Sequence, residues 1–546
     1  MLYRKLWICV AVLLLAASGT MTVTALTPQE QLGKNLFFDQ DLSNPPGQEC
    51  AECHAPSTGY TGPDSAINAH GAVYPGAANT VTDKRFGNRK PPAAAYAGAS
   101  PILAMSGKIW IGGMFWDGRA TGWRLGDPLA EQALGPFLNP LEQNLANLDA
   151  VVSKVEASSY TSLFTQICGD NTVPVSDRYD CIGRAIAAYE RSTEVSSFTS
   201  KYDQYLAGTA TLTRQEKEGL TLFNTKGKCD KCHVSKGAKP LFTNYSYDNL
   251  GIPKNTENPF YTISQTYNPL GAGWIDTGLG GFLSADPLYF NVARSELGKE
   301  KVPTLRNVDK RPSPDFVKAY GHNGYFKSLK SIVHFYNTRD VLPVCGSRVN
   351  NPGVDCWPMP EIALNMNTKE LGNLGLSSAE EDAIVVFLGT LSDLQPAGGL
   401  MNPGFENGTA NWTFYTNGSG TFTANSPGYE GTKAAKIALK SVGTNIQLYQ
   451  TGLSLEQNTC YRLNFSAYST TGHDLSVILH KDGSPYTNYG LGFKANLGTS
   501  WQFFTIEFDT TGFAGVVTDG RLRFWLAPFA EAGDRYYIDN VRLEKI

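Results

Sequence analysis

The apolar positions of this chain change their spacing along its length, and each change predicts a different kind of element. Near the N-terminus, Leu6 to Ala17 is an apolar run preceded by Arg4 and Lys5 and followed by small residues ending Val23-Thr24-Ala25. That order, residues 1–25, is the pattern of a secretory signal peptide. The run is too short to cross a bilayer, which takes about 20 apolar residues, and no later segment approaches that length. From about Thr27 to Gln395, helical spacing alternates with loops rich in Gly, Pro and Asn, in two halves that repeat a theme. Leu32-Gly33-Lys34-Asn35-Leu36-Phe37-Phe38 leads into one cysteine pair, and Glu218-Gly219-Leu220-Thr221-Leu222-Phe223 leads into another, each reading as an amphipathic helix. Ser377-Ser378-Ala379-Glu380-Glu381 starts a third helix, with Ser at the cap and Glu three residues on, continued by Ala383 to Leu391. After Gln395-Pro396-Ala397-Gly398-Gly399 the spacing turns to two, as in Thr421-Phe422-Thr423-Ala424 and Tyr461-Arg462-Leu463-Asn464-Phe465. Short alternating runs between Gly, Asn and Asp turns predict an all-β sandwich, with the Gly-containing junction as linker.

Composition adds limits. A hydrophobic content of 42% supplies ordinary cores, and a net charge of −4 argues against a nucleic-acid partner. The cysteines are more specific. Cys9 leaves with the signal, Cys50/Cys53 and Cys229/Cys232 form two C-x-x-C pairs, and Cys168/Cys181 and Cys345/Cys356 each bracket a short loop, as local disulfides of an exported protein do. Cys460 is left over and reads as a buried thiol in a strand.

Both C-x-x-C pairs continue into histidine: Cys50-Ala51-Glu52-Cys53-His54 and Cys229-Asp230-Lys231-Cys232-His233. Two thiols at this spacing add to the two vinyl groups of one porphyrin, and the adjacent imidazole becomes the proximal ligand of its iron. A zinc site or a disulfide is the competing reading, and two occurrences in an exported chain favour two covalently bound haem c groups. What lies on the other face of each iron then decides between electron transfer and peroxide chemistry. Of the other histidines, His70 follows the first motif in a Gly-Ala-Asn-rich loop and is a candidate for that face of the first iron, against the plainer reading of a surface histidine.

At this point residues 30 to 393 resemble the bacterial di-haem cytochrome c peroxidase and MauG family. The resemblance is carried by Leu32-Gly33 to Phe38-Asp39, both haem motifs, Phe115-Trp116-Asp117-Gly118-Arg119-Ala120, Glu131-Gln132-Ala133 with Gly135-Pro136, Asn139-Pro140-Leu141-Glu142, Val302 to Val308 and His322-Asn323-Gly324. It implies two mainly α, cytochrome-c-like haem domains, divided here as 26–205 (peroxidatic) and 206–396 (electron transfer). By the same resemblance Glu142 is the acid-base group, Gln132 positions peroxide or water, and Trp116 lies between the haems. Family members carry Met or, when MauG-like, Tyr as distal ligand of the second haem. The matching position is Tyr336, with His334 and Met366 as alternatives. His70 matches a histidine that caps the first iron in peroxidases until the second is reduced, a conditional ligand that MauG lacks. An interdomain calcium is also implied, although the region around Asn88 and the stretch Val317 to Gly321 depart from the usual pattern.

Residues 400–546 resemble a carbohydrate-binding jelly roll of the family four/nine type, through Asn402-Pro403-Gly404-Phe405-Glu406, Trp412 and Tyr537-Ile538-Asp539-Asn540-Val541. The resemblance makes Glu406 and Asp539 candidates for a structural calcium. Trp412, Trp501 and Trp525 are candidates to stack on sugar rings, buried sandwich aromatics being the plainer reading. The expected protein is thus a periplasmic, secreted or cell-surface oxidoreductase that reduces hydrogen peroxide. Its electrons come from a cytochrome c or cupredoxin, or from aromatic residues of a protein partner in the MauG manner, and its β-domain has a glycan or surface ligand. A conventional cytochrome c peroxidase and a non-enzymatic di-haem electron carrier are the alternatives.

Overall fold

A computed structural model describes residues 26–312, 315–393, 400–406, 408–429 and 433–545. The signal peptide and the linker expected at 395–399 lie outside the described residues. Among the described residues no helix is long and apolar enough to cross a membrane.

Six of the helices among the described residues frame the N-terminal region: α1 (Pro28–Phe37), α2 (Pro128–Leu138), α3 (Val175–Arg191), α4 (Arg214–Asn224), α5 (Leu329–Thr338) and α6 (Ser378–Gly389). The repeat legible in the sequence is built as two equivalent helix crossings. α1 and α4 both open on a Thr-x-x-Glu capping box, Thr27 with Glu30 and Thr213 with Glu216. Each then crosses a later helix at a glycine. A Cβ on Gly33 would stand 1.9 Å from the Ala185 carbonyl oxygen of α3, and one on Gly219 would stand 1.9 Å from that of Ala383 in α6. Only a residue without a side chain lets these backbones approach so closely. Around the first crossing Leu32, Leu36 and Phe37 pack with Ile182, Ile186 and Tyr189; around the second, Phe223 packs with Ile384, Phe387 and Phe335. α6 has the expected box, Ser377 with Glu380, and ends at Gly389, two residues before the expected Leu391.

The chain forms disulfides Cys168–Cys181 and Cys345–Cys356. Between the two halves, the buried Lys318 ammonium donates to the carbonyls of Thr58 (2.8 Å), Asn307 (2.8 Å) and Lys310 (3.1 Å). Asp393 accepts from the Tyr96 hydroxyl at 2.7 Å and from the Asn307 amide at 2.9 Å.

Among its described residues the β-domain has ten strands: β1 (Thr413–Thr416), β2 (Ser419–Asn425), β3 (Ala434–Ser441), β4 (Ile446–Glu456), β5 (Cys460–Ser469), β6 (Leu475–Lys481), β7 (Asn488–Ala495), β8 (Gln502–Asp509), β9 (Val516–Trp525) and β10 (Arg535–Lys545). They form two antiparallel sheets, in orders β7-β6-β9-β4-β1 and β8-β5-β10-β3-β2. Alternate residues fill the space between the sheets, Tyr461, Leu463, Phe465 and Ala467 from β5 meeting Leu475, Val477 and Leu479 from β6. In β10 the buried set runs Tyr536, Ile538, then Val541 and Leu543, because the register slips between Asp539 and Arg542. That bulge, with Asn540 at φ +52°, moves the inward face from even to odd positions. Trp412 takes the plainer of its two readings: it is a core residue against Phe405 and Phe524 and offers no face to a sugar. One expectation changes. Cys460, at the start of β5 and paired in register with Asp509 of β8, is half-buried, because the first residue of a strand lacks cover on one side.

Candidate active site

Each C-x-x-C-H segment folds as a single tight turn. The amides of Cys53 and His54 donate back to the Cys50 carbonyl at 3.2 and 3.0 Å, and those of Cys232 and His233 to the Cys229 carbonyl at 3.3 and 2.8 Å. All four thiols are free of disulfides. The imidazoles are held alike: Nδ1 of His54 faces the Tyr60 carbonyl at 3.2 Å, and Nδ1 of His233 faces that of Phe242 at 2.8 Å. Burial pulls both rings down to about 4, so each is neutral at physiological pH. A neutral ring that donates from Nδ1 keeps its Nε2 lone pair for a metal.

The second motif opens onto a cavity of about 210 Å3 lined by Cys229, Cys232, His233 and Tyr336. Tyr336 projects from α5, and burial together with the nearby Cys229 and Cys232 pushes its hydroxyl far above the ordinary phenol range. His334 does not line this cavity; its Nδ1 is 2.9 Å from the Glu381 carboxylate, against Trp357. Met366 is also outside the lining, its sulfur lying over Gly251. Trp116 forms part of the same wall and of a smaller adjoining cleft with Pro92, Tyr96 and Thr304. Its indole N–H donates to the Lys90 carbonyl at 2.8 Å, and its own carbonyl accepts from the Lys301 amide at 2.8 Å, so both ends of the residue are fixed.

Glu142 follows α2 in a loop clamped at both ends. Its amide donates to Asn139 O at 3.0 Å and its carbonyl accepts from Ala77 N at 2.8 Å. Gly76 makes this approach possible, since a Cβ there would fall 2.4 Å from the Leu141 carbonyl oxygen. Burial raises the Glu142 carboxyl, while Arg119 and the Asn139 side chain oppose the rise. In turn the Glu142 charge contributes to raising the Cys50 and Cys53 thiols, which puts this carboxyl within electrostatic range of the first motif. Gln132 lies on α2, half-buried. Arg119 carries no role in the sequence reading, yet it bears on Glu142, pairs with Asp117 at 2.8 Å and lies 3.9 Å over the Phe115 ring. Its only sequence signal is its place in the Phe115–Ala120 segment.

His70 is placed elsewhere. It caps the short helix Ser65–Ala69, its side chain is 72% exposed, and Nδ1 lies 3.4 Å from Glu257 of the second half. The Asn88 carbonyl is taken by Asn258 at 2.9 Å and that of Val317 by Asn68 at 3.1 Å, within the region where the family calcium was expected. In the β-domain, Glu406 and Asp539 flank Gly404 and accept backbone amides of Lys433 (2.9 Å) and Tyr429 (2.7 Å) respectively.

A family model for di-haem cytochrome c peroxidase matches residues 27–211, and one for a carbohydrate binding domain matches 397–530. The methylamine utilization protein MauG of Paracoccus denitrificans (strain Pd 1222) is 32% identical over 400 residues, which are 70% of this chain and 95% of that protein. The chain belongs to the di-haem cytochrome c peroxidase/MauG family. Cytochrome c551 peroxidase of Nitrosomonas europaea (strain ATCC 19718 / CIP 103999 / KCTC 2705 / NBRC 14298) is 30% identical over 57% of this chain and 74% of its own. The crystal structure of the dihaem peroxidase BthA from Burkholderia thailandensis E264 superposes with a TM-score of 0.55 at 28% identity, over 68% of this chain and 87% of that one. The protein is therefore an oxidoreductase of this family, extended by a C-terminal carbohydrate-binding domain, and the family implies two haem c groups. The residues present fit them: two pairs of free thiols, each beside a neutral histidine with a fixed Nδ1, and an apolar-walled cavity at the second pair.

Proposed function

We propose that this protein is an exported peroxidase of the MauG-like type, with Cys50, Cys53 and His54 holding the first haem and Cys229, Cys232, His233 and Tyr336 the second. The carrying observation is that Tyr336 alone of the three candidate distal residues lines the cavity of the second motif, His334 being engaged by Glu381 and Met366 lying outside. When bound, the haems supply iron centres that take up peroxide and hold oxidising equivalents. The rest falls to the chain. Glu142, desolvated and clamped by its loop, takes a proton from one peroxide oxygen and returns it to the other as the O–O bond breaks. Gln132 orients peroxide or water, and Arg119 holds the Glu142 proton affinity in check. Trp116, pinned at its indole and its carbonyl, gives the electron path an oxidisable ring of fixed position. Tyr336 offers an oxygen donor that favours the oxidised metal. Electrons come from a cytochrome c, a cupredoxin or aromatic side chains of a protein partner. With its side chain in solvent, His70 leaves the first site open to peroxide. Calcium at Glu406 and Asp539 belongs to the same reading, as a structural ion of the β-domain.

The test is to mix fully oxidised protein with peroxide, without reductant, and record optical and electron paramagnetic resonance spectra. Both ferric signals are expected to fall together, and Tyr336→Met is expected to abolish the change at the second centre. A protein inert until one haem is reduced overturns this reading in favour of the conventional donor-dependent peroxidase.

The β-domain reading is glycan binding. Tyr429, Tyr468, Trp501, Phe503 and Tyr537 form one aromatic cluster beside the β8-β5-β10 edge, with Tyr468 stacked on Tyr537 at 4.5 Å and Trp501 against Tyr468 at 4.8 Å. Phe503 and Tyr429 are 52% and 46% exposed, an arrangement suited to the apolar faces of sugar rings.

A further inference from the structure

Beside Trp116, the second cavity is bordered by acidic residues that the peroxidase reading does not use. Donor atoms of Asp276, Glu300 and His322 all lie within 4.8 Å of one another, and all three residues are buried. Nε2 of His322 is 3.9 Å from the Asp276 carboxylate and 3.8 Å from that of Glu361. Neither Glu300 oxygen, nor Glu361 Oε2, nor the hydroxyl of neighbouring Tyr261 has a hydrogen-bond partner among the described residues. Glu300 is 8% exposed and lines the cavity with Asp276, His322 and Glu361. Buried carboxylates are ordinarily paired or bound to metal.

The surrounding cations do not meet this need. Asp117, Asp276, Glu300 and Glu361 bring four carboxylates together, while Arg89 binds Asp276 (2.5 Å) and Asp117 (2.6 Å) and Arg119 binds Asp117. Both guanidiniums are thus engaged by Asp276 and Asp117, and Glu300 and Glu361 have no arginine of their own. Lys301, next in sequence, points its ammonium away, to Ser100 Oγ and the Gly112 carbonyl.

We propose that Asp276, Glu300, Glu361 and His322 form a binding site for a divalent cation of the Mn2+ type on the wall of the Trp116 cavity. Donor atoms that share one cation lie no farther apart than about twice the metal–ligand distance, and those of Asp276, Glu300 and His322, within 4.8 Å of one another, are close enough for small side-chain shifts to bring them onto one ion. Three carboxylates and one imidazole suit an ion that accepts oxygen and nitrogen donors together. The site uses none of the carbonyls around Asn88 or Val317 to Gly321. Its ligands come from segments that also hold the tryptophan: the amide after Glu300 donates to the Trp116 carbonyl, and the His322 carbonyl accepts from Lys90, whose own carbonyl takes the indole N–H. A bound cation would crosslink those segments and fix the ring between them. A cation here belongs to the resting protein and stands apart from how peroxide is reduced.

The experiment is to strip the haem-loaded protein with a chelator, titrate it with Mn2+, and follow the six-line resonance of the free ion. One Mn2+ per chain is expected, with nitrogen modulation in the electron spin echo from His322 and a rise in melting temperature. In the Glu300→Gln/Glu361→Gln variant, whose haem absorbance reports that it has folded, the affinity should fall about tenfold or more. Absence of stoichiometric binding to the wild-type protein overturns the proposal and assigns the cluster a shared proton instead. Binding without nitrogen modulation, or unchanged in the double variant, overturns it in favour of another site.

Discussion

The carboxyl of Glu142 sits among groups that pull its proton affinity in opposite directions. Burial raises it, and Arg119 and Asn139 hold it back, with burial prevailing. A base must be ionised to take a proton, so peroxide turnover should rise with pH through a limb above the ordinary carboxylate range and be lost below it. Glu142→Gln preserves shape but cannot exchange the proton. It should lower turnover by about 10²–10⁴-fold and erase the acid limb, read from steady-state peroxide consumption against pH. A limb that survives in the variant would place the base elsewhere. At this scale the haem-attaching residues were legible, because two thiols and an imidazole within one turn are a local chemical fact. The choice of Tyr336 over His334 and Met366 rested on the family match, because nothing in the local chemistry of these residues separates them. Two residues apart on a helix is about 200° of rotation, so α5 can present Tyr336 or His334 to the cavity but not both. Its phase is set by Val333, Phe335 and Trp357 in the core.

Among the elements, the two glycine crossings are the joints on which both haem-binding halves depend. Gly219→Ala would drive a Cβ into the Ala383 carbonyl and leave 2.8 Å to Phe387 Cβ, so α4 must move away from α6. A loss of about 3 kcal/mol is expected, measured by chemical unfolding, with a weaker absorbance from the second haem because α4 leads into Cys229. An unchanged midpoint would show that the crossing can relax. The helical repeat around Gly33 and Gly219 was legible as a pattern, yet the pattern does not say which later helix each glycine meets. In the sandwich, simple alternation holds for β5 but fails across β10, where the Asp539–Asn540 bulge exchanges the inward and outward faces. The same local geometry turns Asp539 to the Tyr429 amide.

At the scale of the whole molecule, an oxidoreductase region and a β-domain are joined in one chain, and their proposed ligands have nothing in common. Trp501, Tyr468 and Tyr537 offer the β-domain an aromatic face that the core does not consume. Trp501→Ala should weaken glycan binding about tenfold, the equivalent of one lost ring stack, in calorimetric titration with soluble oligosaccharides, while peroxide turnover stays constant. Wild-type protein that binds no oligosaccharide would remove the glycan reading. Trp412, which looked equally available in the sequence, is lost to the core between Phe405 and Phe524.

The sequence by itself determined the export signal pattern, the two covalent haem motifs, the helical repeat, the change to β spacing near residue 400 and the family, because each is written in neighbouring residues or in the order of short segments. The resemblance pointed to Glu142 and Tyr336, but only the tertiary structure showed Glu142 within electrostatic range of the first motif, Tyr336 rather than His334 lining the second cavity, His70 in solvent, and Asp276, Glu300, Glu361 and His322 converging beside Trp116. These are contacts between distant segments, fixed by helix phase and by backbone approach at glycines, and packing together with buried hydrogen bonds selects among the many pairings the same residues allow.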